Sequence, residues 1–251
     1  MNCSLKKSYV LLLPLFLFLI HLPFIFANVK PPTDTRIANS IHKSDATEVN
    51  KVDAVNMYIN LKLNSFGLSE QAFNYAVKGY EYLRSIGKLN NDAILSIVDF
   101  SLPSSEKRLF VIDMENGKIL YNTYVAHGRN SGKEYAKQFS NAPESFKSSL
   151  GFYITKGTYS GAHGFSLRLE GEEEGINDNA LSRAIVMHSA DYVNKNLIES
   201  QGYIGRSLGC PALPKKYYKP IIEKIKNGSC LFMYSPNSNY VSKSRLLQLA
   251  S

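Results

Sequence analysis

Asn116-Gly117 stands between two short apolar runs, 109–113 and 118–125. An Asn-Gly pair supplies the positive φ angles that a tight β-turn needs, so the two runs read as an antiparallel hairpin. No other short stretch constrains the architecture as much. Further strands are expected at 94–100, 151–156, 166–169, 184–188 and 230–234, where apolar and β-branched residues cluster between turn residues.

Helices frame this β region. Ser69 is a good N-cap, Glu70 follows in the first turn, Ala72, Ala76, Tyr80 and Leu83 share one face, and Gly87 is placed as a stop. Residues 48–64 fit either a helix face or an alternating strand, and the helix that follows favours helix. A late helix opens at Pro220, turns Ile221, Ile222 and Ile225 inward and closes at Gly228. Residues 128–150 and 189–212 are long connections rich in Ser, Gly and Asn; loops this long in a compact domain are often functional. The run Glu172-Glu173-Glu174 reads as a solvated loop tip. The fold class is α+β, mainly β.

Bulk composition agrees. With 44% hydrophobic and 20% charged residues, the 251-residue chain is neither disordered, collagenous nor a multi-span membrane protein. Three cysteines exclude a disulfide framework. Lys6 and Lys7, then an apolar run from Val10 to Phe26 ending at Ala27, read as an export signal over 1–27. Pro14, His21 and Pro23 interrupt the run and weaken the alternative of an uncleaved anchor. Residues 28–47 form a polar tether with Pro31-Pro32. Loss of residues 1–27 removes Lys6 and Lys7 and takes the net charge from +8 to +6, which suits either an exported chain that meets an anionic surface such as a bacterial wall or ordinary surface lysine that keeps the chain soluble. No nucleic-acid partner is expected, and membrane contact only through residues 1–27 while they remain attached.

Cysteine and histidine carry the chemistry. Cys230 lies in an apolar strand and is expected to be buried and inert. Cys210 lies in Gly205-Arg206-Ser207-Leu208-Gly209-Cys210-Pro211, where Gly209 permits a tight backbone and Arg206 would favour the reactive thiolate. A thiol nucleophile needs a base. His188 ends an apolar strand, and Ser189 beside it can orient the ring through its carbonyl or hydroxyl. Cys210 Sγ is then expected about 3–4.5 Å from a His188 ring nitrogen. His42 falls in the tether. His127 and His163 each precede a glycine and either line the cleft or bond to backbone. A zinc site from His127, His163, His188 and Cys210 lacks close paired-ligand spacing, so no metal and no organic cofactor is expected.

The stretch from His188 to Val193, with Gly205 to Leu213, resembles the murein L,D-transpeptidase catalytic domain family (YkuD-type). Val125-Ala126-His127-Gly128, Phe139-Ser140-Asn141, Ser149-Leu150-Gly151 and Tyr159 to Gly164 are similar to the same branch, and the likeness spans roughly residues 55–235. The resemblance implies a YkuD-like β-sandwich at 91–236, preceded by a helical segment at 48–90 packed on it and followed by a C-terminal tail at 237–251. It implies peptidoglycan stem peptides as substrate and a periplasmic or cell-envelope location. Cys210 would be the nucleophile, His188 its base and the Ser189 carbonyl the partner of His188 Nδ1–H. The amides of Leu208, Gly209 and Cys210 would receive the oxyanion. Arg206, Ser207, His127 and His163 are the substrate-binding candidates. The chain departs from the usual Ser-His-Gly-Cys motif at one position, Leu208. The expected activity is acyl transfer through a thioester to an amine. Its rivals are an L,D-carboxypeptidase or amidase with water as acceptor, and a non-catalytic wall-binding protein.

Overall fold

A computed structural model describes residues 54–249. The expectations for the 1–27 signal, the 28–47 tether with His42, and the first residues of the 48–90 segment lie outside the described residues. Among the described residues, no helix is long and apolar enough to cross a membrane.

The fold opens with helix α1 (residues 54–60), a 3₁₀ turn at Leu63–Phe66 and helix α2 (Glu70–Ser85). The Ser69 hydroxyl accepts the Ala72 N–H at 3.1 Å, satisfying one of the free donors at the start of α2. The carboxylate of Asp99 accepts the Ser69 N–H at 3.1 Å and brings negative charge to the same helix end. Gly87, at φ +69°, ends the helix: its N–H returns to the Arg84 carbonyl, and the Lys88 N–H to that of Leu83. The buried face of Ala72, Phe73, Ala76, Val77, Tyr80 and Leu83 lies on the central strands.

Eight strands follow: β1 (Ile94–Asp99), β2 (Leu109–Asp113), β3 (Lys118–Thr123), β4 (Gly151–Gly161), β5 (Gly164–Gly171), β6 (Val186–Ser189), β7 (Ala212–Leu213) and β8 (Cys230–Tyr234). They form one ladder in the order β3-β2-β1-β8-β4-β5-β6-β7. The β1–β8 and β6–β7 pairs are parallel and the others antiparallel. β1, β2 and β8 are buried at every residue, as strands covered on both faces must be. Ala126, just past one edge strand, bridges to Ala212 in the other edge strand, so the sheet curls toward a barrel. The α+β, mainly β class expected from the sequence is the one observed.

Several local expectations meet a different outcome. The expected β2–β3 hairpin forms, with residues 114–117 as its connection. Asp113 Oδ1 accepts the Asn116 N–H at 2.9 Å and only Gly117 takes a positive φ, so an Asx turn replaces the mirror-image turn. The connection at 189–212 contains helix α3 (Lys195–Gln201), capped by Asn194. Helix α4 (Tyr218–Ile225) buries the three expected isoleucines. The 237–251 segment folds into α5 (Ser238–Lys243) and α6 (Arg245–Leu249), with Tyr240, Leu246 and Leu247 buried. The acidic run is not a solvated tip. Glu173 is only 4% exposed and accepts from the Phe152 N–H at 2.8 Å, the Tyr240 hydroxyl at 3.1 Å and the Ser244 hydroxyl. Glu172 pairs with Lys88 at 3.3 Å. The C-terminal helices are thus tied to β4 through one buried carboxylate.

Candidate active site

The site forms where β6 and β7 run side by side. His188 pairs with Ala212 and Ser189 with Leu213, and the chain leading into β7 carries Cys210. Parallel pairing therefore brings together a histidine and a cysteine that are 22 residues apart in sequence.

His188 is 3% exposed. Its Nδ1 lies 2.8 Å from the Ser189 carbonyl oxygen. A carbonyl only accepts, so Nδ1 carries the proton and Nε2 keeps a free lone pair. Burial lowers the ring's pKa, the Ser189 bond works against that, and a neighbouring histidine adds to the lowering. The ring is held as a neutral base.

Two serines and a glycine fold the nucleophile loop. Ser207 Oγ donates to the Cys210 carbonyl at 2.6 Å and accepts the Gly209 N–H at 3.1 Å. Ser148 Oγ donates to the Gly209 carbonyl at 3.0 Å and accepts the Gly128 N–H at 3.0 Å. Gly209 has φ +126°, and a Cβ there would lie 2.9 Å from the Lys147 carbonyl oxygen, so both conformation and space require glycine. The Leu208 and Cys210 amides have no hydrogen-bond acceptor outside their own residues among the described residues. The Gly209 amide, expected as an oxyanion donor, is occupied by Ser207.

The Cys210 thiol is partly buried. It takes the Val186 N–H at 3.5 Å and donates toward the Ala184 carbonyl at 3.8 Å. Among the described residues, these are the thiol's hydrogen-bond partners, and the His188 ring is not one of them. Burial raises the thiol pKa; the Val186 N–H and the Arg183 guanidinium oppose it.

Arg183, which no sequence pattern singled out, lies beside the nucleophile loop. Its guanidinium donates to the carbonyls of Ser140 (2.8 Å) and Lys147 (2.7 Å) and to the hydroxyls of Ser149 (2.6 Å) and Ser145 (3.2 Å). It holds the 140–149 loop under Gly209. Arg206, expected in that electrostatic role, instead donates to the carbonyls of Arg129 and Gly132, each at 3.2 Å, and lies over the Tyr203 ring. No sequence pattern singled out Tyr192 either. Its ring packs on Gly205, and its hydroxyl is pushed up to about 12 by burial and then by the Cys210 charge.

The remaining candidates separate clearly. His127 is fully buried. Arg108 Nη2 donates to its Nδ1 at 2.7 Å, and its Nε2–H faces the Gly132 carbonyl at 3.2 Å, so the ring is used up in structure. Ser207 is likewise buried and committed to the loop. His163 is exposed on the β4–β5 turn and stacks on His188. Leu208 is 57% exposed beside the nucleophile. Cys230 is fully buried, with its thiol pushed upward by burial. Among the described residues, no group of three or more His, Cys, Asp and Glu could hold a metal ion.

The L,D-transpeptidase catalytic domain family matches this chain over residues 64–234. Solved structures with similarity include an L,D-transpeptidase from Mycobacterium smegmatis, at 14% identity and TM-score 0.36, covering 57% of this chain and 59% of that one. An L,D-transpeptidase from Mycobacterium tuberculosis H37Rv has 13% identity and TM-score 0.34, covering 57% and 58%. L,D-transpeptidase 3 from Mycobacterium tuberculosis has 12% identity and TM-score 0.34, covering 57% and 61%. The chain thus spans less than two thirds of each of these three proteins. No curated protein matches it.

Proposed function

This chain belongs to the L,D-transpeptidase catalytic domain family, and from that premise we propose that it is an exported cysteine acyltransferase acting on peptidoglycan stem peptides. Residues 1–27 direct export and are removed, leaving the catalytic chain in the periplasm or cell envelope. The reaction starts when Cys210 turns from Val186 and Ala184 toward His188. Nε2 takes the thiol proton, and the sulfur attacks the carbonyl between the third residue and the D-amino acid of a tetrapeptide stem. The amides of Leu208 and Cys210 stabilise the oxyanion, joined by Gly209 once Ser207 releases it. The C–N bond breaks and the D-amino acid leaves with the proton from His188. An amine of a second stem then attacks the thioester, gives its proton to His188 and restores the thiol. No cofactor takes part.

The observation that carries this reading is the Ser189–His188 hydrogen bond. It leaves Nε2 basic on the strand next to the one that Cys210 leads into. The test is incubation of the purified protein, freed of residues 1–27, with tetrapeptide muropeptides, followed by mass spectrometry. Crosslinked dimers that vanish in Cys210→Ala and in His188→Ala are the expected result. An undiminished yield with Cys210→Ala would overturn the proposal. Exposed Leu208, where the family motif has histidine, favours one other reading, with water as acceptor. Free tripeptide without dimer is its signature.

A further inference from the structure

A second imidazole lies against His188, and the reaction as written does not use it. His163 sits between Ala162 and Gly164, in the turn joining β4 to β5. Its ring centroid is 4.4 Å from that of His188, with the planes 22° apart. Face-to-face stacking points the ring nitrogens sideways, so the two rings share a face and not a hydrogen bond.

The arm that carries His163 is built to reach this spot. Its register shifts between Thr155 and Thr158, and such irregularities bend a hairpin. The Arg168 guanidinium lies 4.4 Å over the Tyr159 ring and ties the two strands together near the tip. Gly164, at φ +73°, closes the turn. The base of β4 is buried while the tip is exposed, so no core packing explains the placement of His163.

We propose that His163 is a positioning residue for His188: it lies across the face of that ring and holds it in place beside the nucleophile loop. The inference rests on the reading of His188 as the base. A positive charge on one ring opposes a positive charge on the other at this separation, so His163 favours the neutral form of His188. The Ser189 carbonyl accepts from the His188 ring and Ala212 on β7 pairs with His188, while Leu167 and Arg168 on β5 pair with the two residues before it, Met187 and Val186. Of the charged side chains, His163 is the one whose charge bears on His188, and it acts in the same direction as burial.

The test pairs a titration that needs no turnover with one that does. Carbon-labelled imidazole NMR follows the His188 midpoint in the parent protein, in His163→Ala and in His163→Phe. The midpoint moves to higher pH in His163→Ala, which loses both cover and charge. It moves less in His163→Phe, which keeps the ring and loses the charge. With muropeptides, the acid limb of kcat/KM moves the same way. kcat falls about tenfold in His163→Ala, less than removal of a base would cost, and recovers largely in His163→Phe. A His188 midpoint identical in all three proteins overturns the inference. So does an equal loss of kcat in both variants with an unmoved acid limb. A parent protein without turnover would defeat the functional reading instead, and the NMR midpoints would still decide this one.

Discussion

At the scale of single residues, the nucleophile is set by opposed influences. Burial pushes the Cys210 thiol up, while the Arg183 guanidinium and the Val186 N–H pull it down. A thiol reacts as thiolate, so the guanidinium, with the Val186 N–H, adds reactive sulfur that burial suppresses. Arg183→Gln should therefore slow alkylation of Cys210 by iodoacetamide at pH 8. It should also cost about 2–3 kcal/mol of stability, because several charge-assisted bonds to the 140–149 loop are lost. Arg183→Lys should restore much of the alkylation rate and little of the stability, since an ammonium keeps the charge without the planar fork. Equal alkylation rates in all three proteins would remove Arg183 from the site. No sequence pattern marks Arg183: it lies 27 residues before Cys210 in an irregular segment, and its charge acts on the thiol through the fold. His188 and Ser189 were legible because they end an apolar strand, and the Cys210 loop because of its glycines.

Among the secondary elements, legibility followed burial. β1, β2, β8 and α2 bury whole faces, and their apolar patterns located them closely. The outer half of β4 is Gly, Ser, Thr and Tyr, partly exposed, so its pattern says nothing of an arm that runs to residue 161. Helix α3 buries no residue, and α6 is five residues long, so neither leaves a helical period to read. Gly79, in the middle of α2, is the opposite case: local preference disfavours it and packing demands it. A Cβ there would lie 2.1 Å from Phe152 Cζ, and that ring is itself stacked on Phe232 at 4.2 Å. An exposed helix would gain about 1 kcal/mol from Gly→Ala. Here overpacking costs about 1–3 kcal/mol, so Gly79→Ala should destabilise the protein despite its better helix propensity. Urea unfolding reads the difference, and a higher midpoint in the variant would show that α2 can lift off the sheet.

For the molecule as a whole, buried titratable groups make stability depend on pH. His127 lies in the interior between Arg108 and the Gly132 carbonyl. Burial, with the Arg108 charge next, holds its pKa down to about 3. In the unfolded chain the ring titrates near 6.5. Between these values the unfolded state binds the proton and the folded state does not, so stability is full above about pH 6.5 and falls as pH drops toward about 3. Taken alone, this group removes about 2 kcal/mol between pH 7 and pH 5. Glu173 acts in the other direction: burial raises its carboxyl, and protonation relieves it as pH falls. A single unfolding curve cannot separate the two, but a substitution can. His127→Asn keeps an oxygen to accept from Arg108 and cannot be protonated. Its urea midpoint should be lower than the parent's at pH 7 and should change less on going to pH 5. Parallel pH dependence in the two proteins would mean that His127 is not held neutral, and the buried Arg108–His127 contact would then need a different charge state.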